Sequence, residues 1–227
     1  MIKRILISIT GKNRKDWKSK LEEIEALKIK EACLFLEFYN KEKREEIYQA
    51  LLNSKIESIP LVHIRHDMIK EELKFLKHKY KTKYFTIHEI NFEQDDLLKW
   101  KGFYKNLCLE MNFDNYVSSK VKVEKIDGFC VDLAHFKVAK EMQNKDFEYV
   151  FNKRKFKKYF DCNHLNGWDK KTNCDMHTIN SLKDFDYLKT LPDFLFGKVI
   201  ALEVFNSIKE QLEFKKYLIE VLNKNNS

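Results

Sequence analysis

Phe160-Asp-Cys-Asn-His-Leu-Asn-Gly167 reads as a short β-strand ending in polar residues, and Asp175-Met-His177 follows close behind. An Asp and a His sit there among apolar, strand-forming neighbours, a costly place for polar groups unless something pairs with them. Asp175 and His177 are one residue apart, so on an extended backbone both side chains turn to one side. With His164 they have the donor types of a divalent metal site. The fold turns on whether other strands along the chain end the same way.

Working outward, strand-like runs recur at residues 5–10, 32–39, 59–64, 84–88, 107–113, 129–133, 159–164 and 199–204. Helical patterns separate most of them, at 17–29, 41–52, 71–80, 92–104 and 136–158, the last with a break near Asn144. In the second, Ile47, Leu51 and Leu52 keep helical spacing. A final helix spans 207–222. Strands alternating with helices predict a parallel sheet, and eight such units close a (β/α)8 TIM barrel. The expected fold is therefore α/β: one barrel domain over residues 1–227, with short loops. An open doubly wound sheet is the alternative, weakened because no Gly-rich phosphate loop follows any strand.

In a barrel the active site lies at the C-terminal ends of the strands. The fourth to eighth predicted strands end in His88, Glu110, Asp132, His164 and Glu203. The second carries Glu37 late, and the third carries His63, with His66 just beyond. Two residues before each of the first five come Thr86, Cys108, Cys130, Cys162 and Ala201, all small. On a period of two they share the inward face and fit a crowded interior one layer below. Six of the seven histidines fall at strand ends or in the loops after them; the exception is His78, on a charged helix. A lone strand-end imidazole or carboxylate is more often a satisfied polar residue than a ligand. The joint pattern is what predicts a metal site.

Composition sets the bounds. The 227 residues are 44% hydrophobic and 14% aromatic, enough for a substantial core and against disorder. The net charge of +8 suits a phosphate-bearing partner, although lysine-rich solvated faces account for it equally well. Lys12, Arg14 and Lys15 after the first strand and Arg65 after the third place basic residues where a substrate phosphate would sit. The run Phe151-Asn-Lys-Arg-Lys-Phe-Lys-Lys158 reads as a solvated helix face. Of the five cysteines four lie in apolar runs and none forms a C-x-x-C pair, which predicts reduced, buried thiols in a cytoplasmic protein. The apolar run near the start is too short for a signal peptide or a membrane span, so no membrane partner is expected.

The strand-end residues resemble those of the xylose-isomerase-like barrels. That superfamily includes the endonuclease IV family of apurinic/apyrimidinic-site endonucleases (AP endonuclease family 2) and many sugar or sugar-phosphate isomerases and epimerases. Asp132-Leu-Ala-His135 is similar to the family's D-x-x-H after strand six, and His164-Leu-Asn to the H-L-N of the endonuclease branch. Asp175-Met-His177 resembles the D-x-H loop that follows, and Leu202-Glu203 the strand-eight glutamate. Glu110 matches the central bridging glutamate and His88 the strand-end histidine before it. For the remaining histidine both His63 and His66 stay open. His66 is followed by Asp67 as in the endonucleases, whereas His63 lies at the better depth.

The resemblance implies up to three divalent ions. His63 or His66, with His88 and Glu110, would hold one. Glu110, Asp132, His164 and Glu203 would hold the second, with Glu110 bridging, and His135, Asp175 and His177 the third. Mixed imidazole and carboxylate ligation suits Zn2+, with Mn2+ or Fe2+ as alternatives. It also implies an enzyme, of one of two kinds. One is a phosphoester hydrolase acting on abasic DNA or another phosphodiester, in which a metal pair activates water. Lys12, Arg14 and Arg65 would meet the phosphate; no clear aromatic wedge stands out, Trp168 and Tyr116 being the candidates. The other is an isomerase or epimerase of a small sugar phosphate, with Glu110 and Glu203 as the acid/base pair. The complete third set favours the hydrolase, and the short loops favour a small substrate. A barrel that binds metal or ligand without catalysis is the remote third reading.

Overall fold

A computed structural model of the protein describes residues 4–11, 16–93 and 96–224. The first strand position is split into β1 (Arg4–Leu6) and β2 (Ser8–Ile9), and α1 (Asp16–Ala26) follows. Next come β3 (Cys33–Phe35), α2 (Lys41–Leu52), β4 (Leu61–His63), α3 (Lys70–Tyr80), β5 (Tyr84–His88) and the single turn α4 (Ile90–Glu93). The second half runs β6 (Leu107–Glu110), β7 (Gly128–Asp132), α5 (Leu133–Met142), α6 (Lys145–Asn152) and β8 (Phe160–Leu165). A small hairpin of β9 (Gly167–Asp169) and β10 (Cys174–Met176) precedes β11 (Val199–Leu202) and α7 (Ile208–Lys224).

The large sheet has the order β1-β11-β8-β7-β6-β5-β4-β3-β2, and each of its pairings is parallel. Only Ile7 separates β1, which pairs with β11, from β2, which pairs with β3. The sheet therefore returns to the run of chain on which it began, giving eight strand positions in a TIM barrel. At the seam the Ser8 N–H donates to Gln211 Oε1 at 2.8 Å, and Gln211 Nε2 donates to the Ser8 carbonyl at 3.2 Å. The Ser8 hydroxyl bonds the Leu202 carbonyl. A buried glutamine on α7 thus satisfies backbone groups that the ladder skips, groups that are costly to bury unpaired.

The alternation of side chains makes two cores. Leu6, Cys33, Phe35, Leu61, Tyr84, Cys108, Cys130, Cys162, Val199 and Ala201 fill the barrel interior. The alternate residues, such as Leu34, Val62, Phe85, Leu109, Val131 and Ile200, pack outward against the helices. Both faces are apolar, as a parallel sheet buried on both sides requires. The small layer predicted beneath the polar strand ends is present: Thr86, Cys108, Cys130, Cys162 and Ala201 are all buried. Cys33 is buried too, and Cys174 is exposed on the hairpin. No described helix is long and apolar enough to cross a membrane.

The predicted helix at 92–104 is replaced by α4 and two 3-10 turns, Asp96–Trp100 and Tyr104–Asn106. Gly102 takes a φ of +98°, which a continuing helix excludes, and the buried Trp100 indole is tied to the Met68 carbonyl at 3.0 Å. The 136–158 segment does break at Asn144. Gln143 turns left-handed, and the Asn144 side chain accepts from the Phe147 N–H at 3.1 Å to start α6. Because α6 ends at Asn152, most of the basic run 151–158 lies beyond it, largely exposed, with only Lys157 and Lys158 in a 3-10 turn.

Candidate metal centre

The strand ends deliver the polar residues to one place because barrel strands alternate in and out, and their last inward residue meets the mouth. Register fixes the neighbours: His88 lies opposite Glu110, and Asp132 opposite His164. Glu110 stands at the middle. Its Oε2 is 3.1 Å from His164 Nδ1 and 3.5 Å from His63 Nε2. His164 Nδ1 is also 3.3 Å from Glu203 Oε2, while its Nε2 meets the Thr86 hydroxyl at 3.3 Å. The Phe35 ring lies below, 4.8 Å from the His164 ring between centroids.

Three overlapping groups could each hold one ion, with one ligand atom per residue and all atoms within 4.8 Å of one another. They are Glu37, His63 and His88; His63, Glu110 and His164; and Glu110, Asp132, His164 and Glu203. Many of these atoms are crowded but not bonded. Both ring nitrogens of His63, His88 Nδ1, Glu110 Oε2, His164 Nδ1 and Glu203 Oε2 are buried without a hydrogen-bond partner, though several lie within 3.5 Å of an oppositely charged atom. The contacts are short and badly aligned for proton donation. Buried polar atoms that converge without bonding one another suit a shared divalent cation better than a hydrogen-bond network. Imidazole and carboxylate oxygen are the donor types that Zn2+, Mn2+ and Fe2+ accept.

Of the third predicted set, His135 and His177 each approach Asp175, but the trio is not among the groups of described residues whose ligand atoms all lie within 4.8 Å of one another. Asp175 Oδ2 is 2.9 Å from His177 Nε2 and 3.6 Å from His135 Nε2. The β9–β10 hairpin, absent from the predicted elements, makes this possible: it sets Asp175 opposite Trp168 on an extended backbone, with His177 just past its end. His177 Nδ1 lies 2.9 Å from the Glu203 carbonyl, and its ring stacks on Phe205. A carbonyl can only accept, so the proton sits on Nδ1, and Nε2 is left to face Asp175. His135 Nδ1 is 3.9 Å from Glu110 Oε1, so the two oxygens of Glu110 look toward the two halves of the centre.

Asp132 is held from both sides. The His135 N–H donates to its Oδ1 at 2.8 Å, which caps α5, and Asn166 Nδ2 donates to its Oδ2 at 3.0 Å. Burial pushes the Glu110 carboxyl up, but the adjacent His164 and His63 outweigh it and hold it well below the usual carboxylate range. Glu203 goes the other way: burial raises it well above that range, and the Glu110 charge adds to the effect against His164. Burial lowers His135, but Asp132 and Asp175 bring it up to about 9.

The structure places His63 in the cluster and leaves His66 outside it, exposed in the turn after β4. Arg65 is half-buried, with its Nε 3.6 Å from Asp67 Oδ1. Lys12, Arg14 and Lys15 lie outside the described residues. Asp161, the second residue of β8, lies at the opposite end of the barrel, paired with Lys198 at 2.8 Å. Trp168 is half-buried and donates to Asn173 Oδ1 at 3.0 Å, whereas Tyr116 is exposed. Glu37 joins the site although the sequence signals it only by its place late in the second predicted strand, and Thr86 and Asn166 have only a small side chain and a motif position to mark them.

No protein-family model matches the chain, and no curated protein matches it at a meaningful level. Among solved structures it is similar to endonuclease IV from Thermus thermophilus, with 14% identity, a TM-score of 0.50, and coverage of 96% of this chain and 99% of that one. It is also similar to a D-tagatose 3-epimerase-like protein, with 15% identity, a TM-score of 0.54, and coverage of 99% and 98%. Identity this low establishes the fold and not the reaction.

Proposed function

On the fold of the xylose-isomerase-like TIM barrels, we propose a divalent-metal-dependent phosphoester hydrolase that cleaves abasic DNA or a related phosphodiester. The observation that carries this reading is the approach of His135 and His177 to Asp175, beside a Glu110 cluster whose overlapping groups could each hold an ion. A third cationic position is useful where charge builds on a phosphoryl oxygen and on a leaving alkoxide together. Bound Zn2+, Mn2+ or Fe2+ would supply Lewis acidity there, activating water for in-line attack and neutralising that charge.

The chain's own residues set the geometry. Glu37, His63 and His88, together with Glu110, Asp132, His164 and Glu203, would hold the inner metal, and His135, Asp175 and His177 an outer ion. Thr86 fixes the His164 ring, Asn166 fixes Asp132, and the Glu203 carbonyl fixes His177. Such supporting contacts keep ligands oriented at little further cost. Arg65, two residues past the end of β4, would meet the substrate phosphates, and Lys12 and Arg14 are candidates for the same role from the sequence alone.

A second reading, sugar-phosphate isomerisation or epimerisation, is favoured by one feature. Glu110 and Glu203 flank a single imidazole nitrogen at 3.1 and 3.3 Å, a spacing that suits an acid/base pair on a small substrate. The test is elemental analysis of the purified chain together with assays on an abasic-site duplex and on a set of ketoses and aldoses. Three ions per chain with duplex cleavage support the hydrolase. A single ion with sugar turnover replaces it with the isomerase.

A further inference from the structure

We propose a separate cation site, outside the centre above, in which Glu89, Asp114 and Asp146 bind one hard divalent ion of the Ca2+ or Mg2+ class. The three residues come from different segments: Glu89 directly after β5, Asp114 in the loop after β6, and Asp146 in the first turn of α6. One carboxylate oxygen from each lies within 4.8 Å of the others. Opposed oxygen ligands of Ca2+ stand roughly 5 Å apart, since each bond is about 2.3–2.6 Å, so the trio has room for a single ion.

Two of the three are buried, Glu89 at 5% exposure and Asp146 at 1%. Glu89 Oε1 and Asp146 Oδ1 are both enclosed without a hydrogen-bond partner. No lysine or arginine among the described residues forms an ion pair with any of the three. Adjacent buried carboxylates are expensive unless a cation or a proton joins them.

The surroundings hold the oxygens in place. Asp146 Oδ2 accepts from the Asn115 N–H at 2.9 Å, and Asp114 Oδ1 accepts from the Tyr116 N–H at 3.1 Å. Asn115 takes a left-handed φ of 62°, and its Oδ1 accepts from the Lys145 N–H at 3.0 Å, which pins the loop to the start of α6. The donors are all oxygen, with no imidazole or thiol, so the site selects a hard ion over zinc. Exposed Asp114 leaves an entry path and room for water ligands. A proton shared between Glu89 and Asp146 is the other way to satisfy those two carboxylates, and the titration separates it from a bound ion. The proposal does not depend on the reaction assigned to the main centre.

The test is calorimetric titration of the full chain, first incubated with Zn2+ and desalted, with CaCl2 and separately with MgCl2. One equivalent of either ion should bind. Affinity should weaken at least tenfold in Asp114→Asn and vanish in Asp146→Asn, with zinc content unchanged. Asp114 is exposed, so Asp114→Asn decides the matter even if Asp146→Asn does not fold. Absence of binding by both ions, or binding that Asp114→Asn leaves intact, overturns the site. So does an Asp146→Asn variant with a raised Tm in ion-free buffer when the parent chain binds neither ion, which identifies a shared proton.

Discussion

Glu37 Oε2 lies 2.9 Å from His63 Nδ1, and the same oxygen is 3.2 Å from His88 Nε2. One carboxylate, in the turn after β3, therefore ties together the histidines that end β4 and β5. Its charge fixes which nitrogen of each ring faces it, Nδ1 of His63 and Nε2 of His88, and leaves His63 Nε2 toward Glu110. Glu37→Gln should weaken metal affinity roughly 10- to 100-fold, the range found when groups that support metal ligands are removed. Competition against a chromophoric chelator measures this, with circular dichroism to check folding. Unchanged affinity would make Glu37 a satisfied structural carboxylate and nothing more.

Asn166 acts one step further out. It is fully buried, donates to Asp132 Oδ2, and is itself held by the Tyr187 hydroxyl, which donates to its carbonyl at 3.0 Å. Asn166→Leu keeps the volume and deletes the donor. Metal affinity should again fall roughly 10- to 100-fold, and stability by about 1–3 kcal/mol for the buried groups left unpaired. Urea denaturation of the metal-free chain isolates the second effect. Loss of stability with affinity intact would show that Asp132 caps α5 and does not serve the centre.

These two residues mark the limit of what the sequence discloses. His88, Glu110, Asp132, His164 and Glu203 were legible because an inward strand face repeats every second residue and a polar residue ends an apolar run. Strand periodicity likewise gave the barrel. Glu37 sits in an apolar, aromatic run, and its role is defined by His63 on another strand, a spatial relation with no sequence spacing. The choice between His63 and His66 needed the strand end: β4 stops at His63, and His66 turns out to solvent. The 3-10 turns around Trp100 were hidden because helical spacing of apolar residues says nothing of the contact that pins the indole to Met68.

Lys20 gives a pH signature unrelated to the metals. Its ammonium is buried under α7 and donates to the carbonyls of Phe205 and Asn206. Burial lowers it from 10.5 to about 8, against the pull of Glu23 and Asp16. Between those values the unfolded chain holds the proton and the folded chain does not, so this group makes stability rise as pH goes from about 8 to 10.5. The rise is at most about 3 kcal/mol, at ~1.4 kcal/mol per pKa unit. Lys20→Met should flatten the curve over that window. Buried tyrosines act with opposite sign above about pH 10, so the informative quantity is the difference between the two chains. Parallel curves would mean that Lys20 stays charged when buried.

Asp175→Ala separates the two catalytic readings. The carboxylate is the shared partner of His135 and His177, and on the hydrolase reading it completes the outermost cation position. The inner groups around Glu110 do not include it. The variant should therefore keep the inner ions and lose one equivalent by elemental analysis, with the fold intact. Cleavage of an abasic-site duplex should drop by roughly 100-fold or more, since one charge-stabilising contact at a reacting group is commonly worth 10²–10³ in rate. Turnover of a sugar phosphate, which needs only the inner groups, should be spared. If phosphodiester cleavage survives the substitution, the third position is not part of the chemistry, and the pair Glu110 and Glu203 becomes the machinery to pursue.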